Sequence, residues 1–236
     1  MRISKILKPA FSLCCFLLLF LAVKLFNFSA EFTKDENPGY SRLNISKKLN
    51  FAGDLVPQND FSVIESLDRE LLINTYWQSQ TLLVYKRASH WFPIIEPILK
   101  RYGIPDDFKY IAVVESGLTN SVSNACAAGY WQLVEETAKS CGLEIDSVVD
   151  ERYNMEKSTE AACKYFKEAY VQFHNWTLAA ASYNMGIAGV QKALDTQKAN
   201  NYYDLQLNEE TSRYIFRILA AKDVLSRPIA YGYLKN

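Results

Sequence analysis

Glycine and proline are scarce in this chain, with 9 and 7 among 236 residues. That scarcity disfavours an architecture of many short strands joined by tight turns. Histidine is rarer still: only His90 and His174 occur, far apart. There is no HExxH, no GxSxG and no glycine-rich phosphate loop, so metal, serine-triad and nucleotide chemistry have no support, and neither a metal nor a cofactor is expected. An excess of one charge is also missing, since 26 basic residues balance 26 acidic ones. Four of the basic residues, Arg2, Lys5, Lys8 and Lys24, precede the first acid, Glu31, which leaves 22 against 26 beyond it. A mildly acidic body offers no electrostatic footprint for nucleic acid. Of the five cysteines, Cys126, Cys141 and Cys163 lie in the body, an odd number with no CxxC. An oxidising compartment would allow one disulfide, but nothing selects the pair. Buried small hydrophobes are the simpler reading.

What the chain does have is apolar residues, 49% of the total, enough for a sizeable core. A basic start is followed by an apolar run from Ala10 to Val23. The run is short for a spanning helix and suits the core of a signal peptide. Leu25, Phe26 and Phe28 continue it past Lys24, whose ammonium can snorkel, so an uncleaved anchor over residues 9–28 is the other reading. The cleavage signal at Phe28-Ser29-Ala30 is poor, and Cys14 and Cys15 lack a lipobox. Residues 1–30 are therefore a signal peptide or membrane anchor. Both readings export the body to the periplasm or cell envelope, and the anchor reading adds membrane association through residues 9–28.

Residues 31–60 read as a polar tether, broken by Asn37-Pro38-Gly39 and Pro57-Gln58-Asn59-Asp60. From Phe61 the pattern is helical. Val63, Leu67, Leu71, Tyr76 and Leu82 mark one long amphipathic stretch ending near His90, and Pro93 and Pro97 belong in or near the first turns of a second helix. Tyr102-Gly103-Ile104-Pro105 is a stop followed by a start. Asn175 and Asn208 cap later helices, and Ala162, Phe166, Ala169, Tyr170 and Phe173 form a core-facing stripe. No alternating run reads as a strand. The fold class is all-α, with a helical extension over residues 61–103 and a helical domain over residues 104–226.

One residue stands where it should not. In the helix from Asp106 to Ser116, Phe108, Ile111 and Ala112 define the apolar face, and the next position on that face is Glu115. A carboxylate on a core-facing stripe is costly to ionise unless it is paired or solvated by a cleft. Gly117 ends the helix, which puts Glu115 near the negative end of the helix dipole. Both effects raise its pKa toward the range a general acid needs.

Around Glu115 a set of motifs follows in order. Glu115-Ser116-Gly117-Leu118 leads through Ser123 to Ala127-Ala128-Gly129-Tyr130-Trp131-Gln132-Leu133. Val149-Asp150-Glu151-Arg152, Ala181-Ser182-Tyr183-Asn184-Met185-Gly186 and Glu210-Thr211-Ser212-Arg213-Tyr214 come later. Together they resemble the soluble-lytic-transglycosylase (SLT) catalytic domain, in its membrane-bound D branch, over roughly residues 80 to 225. The departures are Cys126 at the family's turn glycine, Asn124 at its proline, and Met185 and Ser182 at two alanines. The resemblance implies a lysozyme-like domain acting on peptidoglycan glycan strands. Glu115 would protonate the bond between N-acetylmuramic acid and N-acetylglucosamine, then serve as base to give 1,6-anhydro ends.

The resemblance also implies roles position by position. Ser123 is the turn serine whose hydroxyl approaches the glutamate, Gln132 lines the sugar cleft, and Tyr183 turns its hydroxyl to the glutamate. Ser116 supports the loop or merely caps the helix. Asn184 bonds sugar or caps its helix, Glu210 serves the site or only the helix start, and Tyr214 lines the cleft or packs. Of Trp77, Trp91, Trp131 and Trp176, Trp131 is the best sugar platform because it adjoins Gln132. Two rival readings remain. One is a hydrolytic muramidase on the same fold, with Asp146, Asp150, Glu151 or Glu210 as the second acid. The other is an inactive wall-binding protein.

Overall fold

The computed structural model describes residues 49–233. The signal or anchor segment and residues 31–48 of the tether lie outside the described residues. Among those described, no helix is long and apolar enough to cross a membrane.

Asp60 starts the first helix by accepting the Ser62 amide at 2.8 Å. Helix α1 (Phe61–Tyr76) buries Val63, Leu67 and Leu71 along the last helix, α8 (Glu209–Ser226). The apolar stripe ends there. Tyr76 and Leu82 are 58% and 40% exposed, and the chain breaks at Trp77 rather than near His90. Helix α2 (Gln78–Tyr102) then continues through Pro93 and Pro97, which do not open a new helix. Each proline deprives the carbonyl four residues earlier of its amide partner. Ser89, Pro93 and Pro97 are all exposed, so the two prolines lie on the solvent side of the helix. Ala88, Ile95 and Leu99 meanwhile keep one buried stripe.

A 3-10 turn at Asp106–Phe108 leads into α3 (Lys109–Ser116), followed by α4 (Glu135–Ser140), α5 (Met155–Phe173), α6 (Trp176–Met185) and α7 (Ile187–Gln197). Asn154, Asn175 and Asn208 each cap a helix by accepting the amide three residues on. Residues 177–182 of α6 are buried on every side, as expected of a helix rich in small residues that sits centrally. It packs between α5, α7 and α8, while α2 lies along α5 and α3 lies between α2 and α8.

Residues 49–60 are not a free tether. Asn50–Phe51 pairs with Asp54–Leu55 as a small antiparallel hairpin, the one strand pairing of this kind among the described residues. Phe51 is fully buried against Phe108, with ring centres 5.1 Å apart, and Phe108 in turn meets Phe166 and Trp176. The Asp107 carboxylate accepts the Ala52 amide and the Lys222 ammonium, each at 2.6 Å, and so fastens the hairpin to α8. Cys141 and Cys163 are buried free thiols, and Cys126 is an exposed one.

Candidate active site

Phe108, Ile111 and Ala112 are fully buried, and Glu115 follows them on the same face of α3. There the face meets a cleft of about 720 Å³. Gly117 closes the helix in the left-handed region at φ 59°, its amide donating to Val113 at 2.8 Å. The Tyr214 hydroxyl, on α8, donates to Glu115 Oε1 at 2.5 Å. Arg217, three residues further along α8, also lines the cleft and donates to the Val114 carbonyl at 3.2 Å. Burial pushes the Glu115 carboxyl up to about 7; the Tyr214 bond and the Arg217 guanidinium hold it down, and the Glu210 charge lifts it further. Near neutral pH such a group can both give and take a proton.

The turn from residue 117 to 133 shapes the floor behind this acid. Arg152 clamps it. Its guanidinium donates to the carbonyls of Cys126 and Leu133 at 3.0 and 3.1 Å and is held in place by Asp150 at 2.7 Å. Gly129 is obligatory: a Cβ there would lie 1.9 Å from the Arg152 carbonyl, and its φ is +81°. Cys126 adopts φ +60°, a conformation that suits glycine better than cysteine. Ser116 joins the acid's helix to the turn by donating to the Tyr130 carbonyl at 2.7 Å. These contacts account for the spacing of the Glu115, Gly129 and Asp150–Arg152 motifs.

The fold sorts the remaining candidates differently from the sequence pattern. Ser123 accepts the Ala127 amide at 3.1 Å and braces the turn; the serines in the cleft wall are Ser116 and Ser121. Gln132 directs its amide to the carbonyls of Ser121 and Gly129, at 2.9 and 2.8 Å. The Tyr183 hydroxyl donates to the Trp131 carbonyl at 2.8 Å, so the hydroxyl bonded to Glu115 belongs to Tyr214 instead. Trp131 is no platform, being fully buried with its indole N–H on Thr159 at 2.9 Å. Asn184 donates to Glu210 at 3.1 Å and accepts the Thr211 hydroxyl at 2.7 Å, which ties an exposed Glu210 to the cleft rim. Asp146, Asp150 and Glu151 are engaged elsewhere: Asp146 accepts backbone amides of its own loop, Asp150 holds Arg152, and Glu151 pairs with Lys157.

The sequence pattern misses Glu70, Ser121 and Arg217, ranks Trp77 behind Trp131, and gives Arg213 no role, though all five line the cleft wall. A signal existed for Glu70. It stands three residues after Leu67 on the buried face of α1, the same displacement of an apolar residue by an acid that marks Glu115. Arg217 shares a face with Tyr214 at i+3, but only α8's docking brings either to Glu115.

An all-helical, lysozyme-like domain, with a half-buried carboxylic acid at the end of a short helix in an open cleft, is the class these features define. Comparison with known proteins narrows it. Residues 92–206 match the family model described as Transglycosylase SLT domain. Over 183 residues the chain is 31% identical to membrane-bound lytic murein transglycosylase D of Escherichia coli (strain K12), covering 75% of this chain. The same figures hold for the protein of that name from Escherichia coli O6:H1 (strain CFT073). The aligned segment spans 39% of the length of these relatives. Through this domain the chain belongs to the SLT transglycosylase family.

Proposed function

We propose that the chain is a peptidoglycan lytic transglycosylase in which Glu115 is acid and then base. The observation that carries the reading is the Glu115 carboxyl, raised to about 7 by burial in the cleft and bonded to the neutral Tyr214 hydroxyl. Protonated Glu115 gives its proton to the oxygen bridging N-acetylmuramic acid and N-acetylglucosamine as the C1–O bond breaks. The resulting carboxylate takes the proton of the muramoyl C6 hydroxyl, whose oxygen bonds to C1. Atoms balance without water, and Glu115 ends the cycle protonated. The internal nucleophile gains from being tethered to the reacting sugar.

Tyr214 and Arg217 position and tune Glu115. Ser116, Ser123 and Gln132 hold the turn, Tyr183 braces Trp131 from α6, and Asn184 steadies Glu210 at the rim. A hydrolase needs a second carboxylate, about 5–5.5 Å away for retention or about 6.5–9.5 Å for inversion. Asp146, Asp150 and Glu151 have other partners, which leaves Glu210 as the candidate for that rival. Export to the cell envelope, by residues 1–30 as signal or anchor, is part of the same proposal, because the substrate lies outside the cytoplasmic membrane.

Digestion of purified peptidoglycan followed by mass measurement and borohydride labelling tests the reaction. Muropeptides with 1,6-anhydro ends, one water lighter than hydrolytic products and not labelled, are expected. Reducing N-acetylmuramic acid as the main new end would replace this reading with the hydrolase and direct attention to Glu210.

A further inference from the structure

We propose that the elbow between α1 and α2 is a sugar-binding subsite of the cleft, with the Trp77 indole as the stacking surface for the apolar face of an N-acetylated pyranose. The inference rests on the reading that a glycan strand is the substrate. It adds a binding residue that lies outside residues 92–206, the segment matched by the family model.

Three of the four tryptophans are already engaged. Trp131 is in the core, Trp91 packs between His90 and Tyr130, and Trp176 stacks on Tyr170 with ring centres 3.9 Å apart. Trp77 is 67% exposed, yet it lines the same cleft as Glu115. A scattered exposed apolar residue needs no explanation. A large indole held at a helix break inside the cleft of an acid is a different case.

The elbow is rigid. The Trp77 amide donates to Ile73 at 3.1 Å, and the Thr81 amide returns to the Trp77 carbonyl at 3.0 Å. The buried Thr81 hydroxyl donates to the Asn74 carbonyl at 2.5 Å, and the Tyr233 hydroxyl reaches the Asn74 and Thr75 carbonyls at 3.1 and 3.2 Å. A backbone held before the ligand arrives has no freedom of its own to lose on binding.

The polar neighbours suit a sugar. Asn74 and Gln80 carry amides along the same wall. The Gln80 Nε2 lies 3.9 Å from where a Cβ of Gly117 would sit, two residues beyond Glu115. Trp77 precedes Gln80 by three residues, ~5 Å along a helix, which puts the indole near a sugar next to the one being cleaved rather than over the reacting bond. An indole face carries partial negative charge and attracts the C–H groups of a pyranose, while amides at its rim accept and donate to hydroxyl and acetamido groups.

The test uses the full chain carrying Glu115→Gln, so that ligand is bound and not consumed, with a β-1,4-linked N-acetylglucosamine hexamer as probe in calorimetry. Adding Trp77→Ala is expected to weaken binding by about tenfold or more, and Trp77→Phe by about threefold or less, in keeping with loss or retention of an aromatic anchor. In the Glu115 enzyme, Trp77→Ala should raise KM for peptidoglycan and leave kcat within about twofold, the mark of a binding group remote from the reacting atoms. Quenching of tryptophan emission by the hexamer, present with Trp77 and absent in Trp77→Phe, reads the same contact in a variant whose fold is not in question. Unchanged hexamer affinity and unchanged quenching on removing Trp77 would overturn the subsite, while turnover by the parent enzyme would leave the proposed reaction standing. Loss of binding with Trp77→Ala, in a protein that never cleaves peptidoglycan, would support the subsite and sink the reaction.

Discussion

Of the glutamates lining the cleft, Glu70 and Glu115 stand on different helices, and neighbouring residues of α8 receive them. Glu70, on α1, is 2% exposed and is gripped by Arg213 through Nε at 2.7 Å and Nη2 at 3.2 Å. Glu115, on α3, receives the hydroxyl of Tyr214, the very next residue. A guanidinium fork makes two parallel hydrogen bonds to a carboxylate and fixes its place between two helices. A neutral hydroxyl offers one bond and no charge, so burial prevails at Glu115 and its carboxyl rises to about 7. Under the proposed reaction the partners separate the two roles: Arg213 holds Glu70 in place, while Tyr214 leaves Glu115 free to exchange its proton.

The comparison breaks most visibly at Glu115. Glu115→Gln keeps the shape and removes the proton, so turnover should fall by at least about a hundredfold. Its stability should move the other way. A carboxyl raised in the folded state contributes stability that is fully present below the unfolded value of 4.5 and is lost as pH climbs through about 7. Urea unfolding at pH 8 should therefore find Glu115→Gln more stable than the parent by up to about 3 kcal/mol, with the advantage gone near pH 4.

Glu70→Ala should show the opposite profile, a loss of about 3 kcal/mol in unfolding with turnover of the folded enzyme reduced less than about tenfold. Equal catalytic losses in the two variants would erase the distinction. Tyr214→Phe sharpens it. Removing a donor that holds Glu115 down lifts its pKa, so the alkaline limb of kcat/KM against pH should move up by about one pH unit, and an unmoved limb would detach Tyr214 from the acid. The smallest effect is expected in the turn beside Glu115. Cys126→Gly relieves the left-handed backbone and should raise stability by about 0.5–1 kcal/mol, read as a higher urea midpoint.

What the sequence makes legible is local. Asn175 and Asn208 reach amides three residues away, Gly117 stops its own helix, and Glu115 breaks a stripe whose other members are its near neighbours. What it hides depends on which distant element arrives. The resemblance assigns the glutamate-facing hydroxyl to Tyr183, yet the docking of α8 brings the Tyr214 hydroxyl onto Glu115 and leaves the Tyr183 hydroxyl on the Trp131 carbonyl. Spacing likewise favours Trp131 as a platform, yet its side of the turn packs inward while Trp77, at an elbow the periodicity does not reveal, stays in the cleft. Phe51 looks like part of a polar tether until the aromatic cluster around Phe108 is assembled. The prolines of α2 mislead because both fall on its exposed side while Ala88, Ile95 and Leu99 keep the helix packed on the other.

The account stands most directly on the proton of Glu115. Carbon-13 NMR titration of the side-chain carboxyls in the folded protein, with the Glu115 resonance assigned by its absence in Glu115→Gln, measures that proton without substrate or turnover. A midpoint of about 7 for this one resonance is the predicted result. A midpoint near the ordinary 4.5 would leave Glu115 an anion at neutral pH, and the acid of the proposed reaction would have to be sought elsewhere.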